Sequence, residues 1–221
     1  MNGLTRKIVT EFGGTAALVL IVVGSGIMGT NLSDDAGVAL TMNTISTIFG
    51  LALLILTIGP ISGAHFNPAV SLVMYATKNL SLKETLAYIP AQIGGAIVGA
   101  LLANLTFDLP VLQFSDHARV TTGTLVAEVI ATAGLLAVIQ VFAARKNANH
   151  VAIAVAAWIG SAYFFTASTS FANPAVTIGR VFTDTFAGIA PASIVPFIAA
   201  QLVGAALGLV IAKALTSTKA D

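Results

Sequence analysis

Apolar stretches separated by short polar segments dominate the chain, at residues 8–28, 42–58, 85–105, 124–143, 150–166 and 194–215. Each approaches the roughly 20 apolar residues that a helix needs to span a bilayer, so the pattern predicts six crossings. Segments 59–80 and 167–190 are left over, each too short or too interrupted to complete another crossing. Both contain the same tetrapeptide, Asn67-Pro68-Ala69-Val70 in the first and Asn173-Pro174-Ala175-Val176 in the second. Asparagine before proline reads as an N-cap followed by a residue suited to the first helical position. The spacing therefore predicts two short helices, 68–78 and 174–183, that end inside the membrane. A single Asn-Pro pair would read equally well as a turn; two identical copies at matching places favour paired half-helices.

The matching places belong to a repeat. Glu11-Phe12-Gly13-Gly14-Thr15 is echoed by Glu128-Val129-Ile130-Ala131-Thr132, and Ala91-Gln92 with Gly95, Ala96 and Gly99 by Ala200-Gln201 with Gly204, Ala205 and Gly208. With the Asn-Pro-Ala copies, three landmarks recur in one order, dividing a single domain of residues 1–221 into repeats 1–118 and 119–221. Three crossings per repeat is an odd number, so the second repeat enters the membrane from the opposite side. Inverted repeats of this kind place a site near the midplane where the halves meet. The expected fold is an all-α membrane protein with six transmembrane helices and two re-entrant half-helices in an inverted 3+3 arrangement. Glycines four apart on one helix face let backbones approach closely, the usual basis of helix association in lipid.

Composition agrees. Only 9% of residues are charged, against about 25% in soluble domains, and 57% are hydrophobic, with a mean hydropathy of +0.94. Arg6 and Lys7 ahead of the first apolar stretch mimic a signal peptide. That stretch runs on to Met28 and contains Glu11, so it reads as a first helix. Cytoplasmic loops hold most Lys and Arg. Placing both termini in the cytoplasm puts Arg6, Lys7, Lys78, Lys83, Arg145, Lys146, Lys213 and Lys219 inside and leaves Arg119 and Arg180 outside. A net charge of +1 without a basic cluster argues against a nucleic-acid partner. Zero cysteines and three scattered histidines predict no thiolate or histidine metal site, and no motif calls for a cofactor or a catalytic nucleophile.

Re-entrant backbone survives in hydrocarbon only where protein buries it or water lines it. Each half-helix would bring about +0.5 charge at its N-terminus to mid-membrane, repelling cations including hydronium. The Asn67 and Asn173 amides can donate to the oxygen of a passing molecule and turn successive waters outward from the centre, breaking a proton-conducting chain. The cargo that fits is a small uncharged solute with lone pairs. Glu11 and Glu128 sit in apolar helices, where an ionisable residue marks function by default. Their symmetric placement points to bracing, each carboxylate accepting N–H bonds of a re-entrant loop. Use of either as a proton site would instead make the protein a coupled secondary transporter, and a membrane scaffold is a third reading. His65, two residues before Asn67, is expected to brace its loop or turn a ring nitrogen into the pore.

The stretch Ser62-Gly63-Ala64-His65-Phe66-Asn67-Pro68-Ala69-Val70, with Asn173-Pro174-Ala175 and the first-helix pair Glu11 and Thr15, resembles the aquaporin and aquaglyceroporin family, the major intrinsic proteins, over nearly the whole chain. The resemblance implies a homotetramer of independently conducting monomers in the lipid bilayer and passive transport of water and small neutral solutes. It also implies a selectivity constriction on the outer side of the Asn-Pro-Ala centre. The family's spacing carries that constriction to Thr47, Ser161, Ser170 and Val176. Most members have arginine where this chain has Val176, and large aromatics or histidine at some of the other positions. Four modest uncharged residues imply a wider, more permissive constriction. The valine resembles a bacterial branch lacking the constriction arginine, linked with uncharged metalloid hydroxides such as arsenite alongside glycerol-like polyols, and so a bacterial inner membrane. Arg180, one turn beyond Val176, either places a charge in the outer vestibule or snorkels to the interface.

Overall fold

The computed structural model describes residues 3–145 and 148–217; the expected cytoplasmic cations Lys146 and Lys219 lie outside them. The described residues fold as α1 (Gly3–Leu32), α2 (Ala36–Ser62), α3 (Pro68–Ala76), α4 (Leu82–Thr106), α5 (Thr122–Ala144), α6 (Ala148–Phe165), α7 (Pro174–Gly179) and α8 (Ile194–Thr216). Two 3-10 turns, Arg180–Phe182 and Pro191–Ser193, join α7 to α8. Helices α1, α2, α4, α5 and α8 are long and apolar enough to cross a bilayer, and α6 is apolar but shorter. α3 and α7 are the two short helices opened by Asn-Pro.

Helices overrun the apolar stretches because their ends are set by caps rather than by hydropathy. α2, expected over 42–58, starts at Ala36, where the Asp35 carboxylate accepts the Val38 N–H at 2.9 Å. It continues through Pro60 and stops at Gly63, whose φ of +93° suits glycine and whose N–H reaches the Gly59 carbonyl. A proline in the last turn forfeits one rung of the ladder, which the rest of the helix tolerates. α4 begins with a capping box between Ser81 and Glu84, and Lys7 of α1 pairs with the same Glu84 at 2.6 Å.

α1 packs along α4 and α5 along α8 through the repeated glycines. A Cβ at Gly95 would strike the Phe12 carbonyl oxygen and one at Gly99 that of Ala16; Gly204 and Gly208 meet the Val129 and Ala133 carbonyls in the same way. Backbone-to-backbone approach of this kind replaces the hydrophobic drive that lipid does not supply. Gly179, at the end of α7, likewise lies on the Ala96 backbone, 2.7 Å from where its Cβ would stand. The short helix is thereby seated against α4. Trp158 of α6 covers Gly134 of α5 and donates its indole N–H to the Ala131 carbonyl at 2.8 Å, a packing role inside the bundle.

Candidate functional site

The loops leading into α3 and α7 are held open in unusual backbone conformations. Ala64, Phe66, Thr169, Ser170 and Ala172 all have φ between 46° and 59°, a region that costs a non-glycine residue about 1–2 kcal/mol. Two buried carboxylates hold them there. Glu11 accepts from the N–H groups of His65 (3.0 Å) and Phe66 (2.7 Å), from the Ser62 hydroxyl (2.6 Å) and from the Gln92 amide (2.9 Å). Glu128 accepts from Phe171 and Ala172 (2.9 Å each), from the Gln201 amide (2.6 Å) and from the Ser168 hydroxyl. Gln92 also donates to Ser71 Oγ and Gln201 to Thr177 Oγ1, tying each brace to its own half-helix. Both glutamates are fully buried and neither lines the cavity described below.

Each Asn-Pro caps its helix: the Asn67 side-chain oxygen accepts the Ala69 N–H and that of Asn173 the Ala175 N–H, both at 2.9 Å. The amide nitrogens reach across to the opposite loop, Asn67 Nδ2 to the Ala172 carbonyl and Asn173 Nδ2 to the Phe66 carbonyl, both at 2.8 Å. The two helix N-termini therefore meet. One N–H of each amide is left over, since an asparagine carries two.

A cavity of about 180 Å³ passes this junction, lined by Asn67 and Asn173 and by apolar side chains including Leu18, Val22, Leu51, Ile55, Val70 and Val155. His65 lines it too, with Nδ1 3.0 Å from Ser71 Oγ and its ring edge-on to Tyr88. The carbonyls of His65 and of three more lining residues, Ala64, Ser170 and Phe171, accept no hydrogen bond from any described residue. Of the expected constriction, Thr47, Ser170 and Val176 line the cavity, and the buried Ser170 hydroxyl has no partner among the described residues.

Ser161 does not belong to this ring. It is exposed on the outside of α6, and Tyr163 lines the cavity in its stead, its hydroxyl 3.3 Å from Thr47 Oγ1. Two residues along a helix turn the side chain by roughly 200°, so a two-residue misregister exchanges inside for outside. Arg180 is buried and lines the cavity rather than snorkelling. Its guanidinium carbon lies 3.5 Å from the centroid of the Phe171 ring, and Nε donates to the Ala187 carbonyl. The expectation of four modest side chains is therefore corrected at one of them, where the aromatic Tyr163 stands, and the Arg180 guanidinium lines the same cavity four residues past Val176.

The sequence model of the major intrinsic protein family matches residues 2–167. The chain belongs to that family. The aquaglyceroporin AqpS of Rhizobium meliloti (strain 1021) is 47% identical over 206 residues, covering 93% of this chain and 88% of the relative. Aquaporin NIP3-1 of Arabidopsis thaliana is 32% identical over 189 residues, 79% of this chain and 57% of the relative. The crystal structure of the aquaglyceroporin from Plasmodium falciparum superposes with a TM-score of 0.73 at 23% identity, covering 98% of this chain and 97% of that one, which shows the shared fold.

Two features of this major intrinsic protein escaped sequence reasoning. Arg119, in the segment between α4 and α5, folds back to donate from Nε to the Gly188 carbonyl (2.6 Å) and from Nη2 to the Phe186 carbonyl (2.9 Å). Nothing local to residue 119 announces a partner 67 positions away. Asp116, His117 and Asp184 also gather at the surface, with His117 Nε2 3.8 Å from Asp184 Oδ1. All three are exposed, and Asp184 Oδ1 also accepts the Asp116 N–H.

Proposed function

We propose that the protein is a passive transmembrane channel for water and small uncharged solutes of the glycerol type, metalloid hydroxides such as arsenite among them. The observation that carries this reading is the junction of α3 and α7, where two capped helix N-termini and two spare amide N–H groups meet beside a cavity. The electropositive ends disfavour cations, and the amides hold a solute oxygen while its own hydrogens face away from the centre. Apolar walls broken by a few polar groups suit molecules that carry a small number of hydrogen bonds with them. We further propose a homotetramer of two inverted repeats per chain, in a bacterial inner membrane with both termini in the cytoplasm.

The constriction in this reading comprises Thr47, Tyr163, Ser170 and Val176. A coupled transporter has less support. Glu11 and Glu128, its candidate proton sites, each accept four hydrogen bonds from loop and helix groups and stand apart from the cavity.

Stopped-flow light scattering on proteoliposomes, comparing water, glycerol and arsenous acid without any ion gradient, tests the proposal. Flux above that of empty vesicles with weak temperature dependence is expected. Flux that appears only with a proton or sodium gradient would overturn it in favour of a transporter.

A further inference from the structure

Most of the family combines a size limit and a positive charge in one arginine directly after the second Asn-Pro-Ala, the position of Val176 here. The cavity nevertheless has a guanidinium. Arg180 lies four residues on, about one helical turn or roughly 6 Å along the axis, and is 4% exposed. Both Val176 and Arg180 line the cavity. Neither Nη group of Arg180 donates to any described residue, so those donors remain for whatever occupies the cavity.

A second cation accompanies it. Three consecutive carbonyls, those of Phe186, Ala187 and Gly188, accept from Arg119, Arg180 and Arg119 in turn. The guanidinium carbon of Arg119 is 5.5 Å from the Phe171 centroid, on which Arg180 also stacks. Neither arginine has an ion-pair partner among the described residues; the nearby Asp184 is engaged with His117 and the Asp116 N–H. Carbonyl dipoles and a ring face hold the two charges, and the buried carboxylate that acts on Arg180, Glu128, is bonded to loop N–H groups rather than to either guanidinium. In a low-dielectric mouth such a field reaches ions further than it would in water.

We propose that this channel separates its charge barrier from its size filter: Arg180, reinforced by Arg119, rejects cations one turn outside the opening that Thr47, Tyr163, Ser170 and Val176 set for solutes. The inference rests on the channel reading above. It explains how valine at 176 leaves more room for a solute while a fixed positive charge still guards the passage. Arg180 is in this sense a specificity-determining residue that the repeat motif does not reveal.

The test uses proteoliposomes of full-length protein, with water and glycerol flux by light scattering and proton and potassium leak by an entrapped pH dye and by conductance. Arg180→Gln keeps a hydrogen-bond donor and removes the charge. It should raise the cation leak on the order of tenfold, the effect of removing one charge at close range in a partly screened site, while water flux persists. Arg180→Lys should keep the native leak. Val176→Arg combined with Arg180→Gln returns the charge to the usual family position, and should restore cation rejection while lowering glycerol flux.

A conducting Arg180→Gln protein that excludes cations as the native protein does overturns the proposal. Where Arg180→Gln fails to reconstitute, Arg180→Lys and the double variant decide: leak in either, despite its retained charge, also overturns it. Native protein that passes neither water nor glycerol marks failure of the channel reading itself.

Discussion

Asn67 donates to the carbonyl of the residue before Asn173, and Asn173 donates to the carbonyl of the residue before Asn67, at 2.8 Å in both directions. The exchange fixes both amides, because each oxygen already caps its own helix and a flipped amide would set donor against donor at the cap and acceptor against acceptor at the opposite carbonyl. The halves of the chain are thus latched at the point where their helix ends would otherwise repel.

Replacing Asn173 by alanine removes both a cap and a cross-bond. The cap contributes about 1–2 kcal/mol and the bond about 1 kcal/mol. Thermal unfolding in detergent, followed by circular dichroism, should show a lowered midpoint. Asn173→Asp keeps the cap but loses the donor and sets a carboxylate against the Phe66 carbonyl, so its midpoint should fall further.

Tyr163 and Ser161 provide a paired test of register on α6. Tyr163→Ala should raise glycerol permeability several-fold and water permeability less, because it removes a ring from the cavity wall. Ser161→Ala should leave both rates as they are. A response from Ser161 instead would mean that α6 is rotated from the orientation described.

Val176→Arg places a second guanidinium beside Arg180 in the same cavity. Solute permeability should fall more than water permeability. An unchanged ratio in light-scattering measurements would count against Val176 as part of the constriction.

Glu128→Gln turns one of two acceptor atoms into a donor facing loop N–H groups. A buried donor left unmatched costs about 2 kcal/mol, so unfolding in detergent should shift accordingly. Water flux per reconstituted molecule should hold. A transporter relying on this carboxylate would instead lose transport with its fold intact.

Gly95→Ala forces a methyl onto the Phe12 carbonyl and should destabilise by about 1–3 kcal/mol, as overpacking does. Gly13→Ala is the control: a Cβ there meets no described residue within 4 Å. Removing an exposed helical glycine should stabilise by up to about 1 kcal/mol, and the two midpoints should move in opposite directions.

The half-helices, the glycine contacts and the loop braces were legible in the sequence because each is a local motif repeated at a fixed offset. Asn-Pro dictates a cap wherever it falls, and Glu11 and Glu128 share one relation to their loops. Tyr163 was not legible. Its position depends on how α6 is rotated about its axis, and the link between α6 and the second Asn-Pro-Ala does not set that rotation. The reach of α2 past Pro60 was hidden for a different reason: proline signals a break, and only the left-handed glycine three residues later marks the true end. Arg119 is tied by tertiary bonds alone, so its partners appear only when the chain is folded.

The left-handed turns at Ala64, Phe66, Ser170 and Ala172 have an evolutionary corollary. Where free peptide carbonyls supply the polar stripe along a passage, codon changes cannot strip that stripe away, since every residue type carries the same group. On the channel reading proposed above, exchanges at Thr47, Tyr163, Ser170 or Val176 change which solutes pass while these carbonyls stay in place.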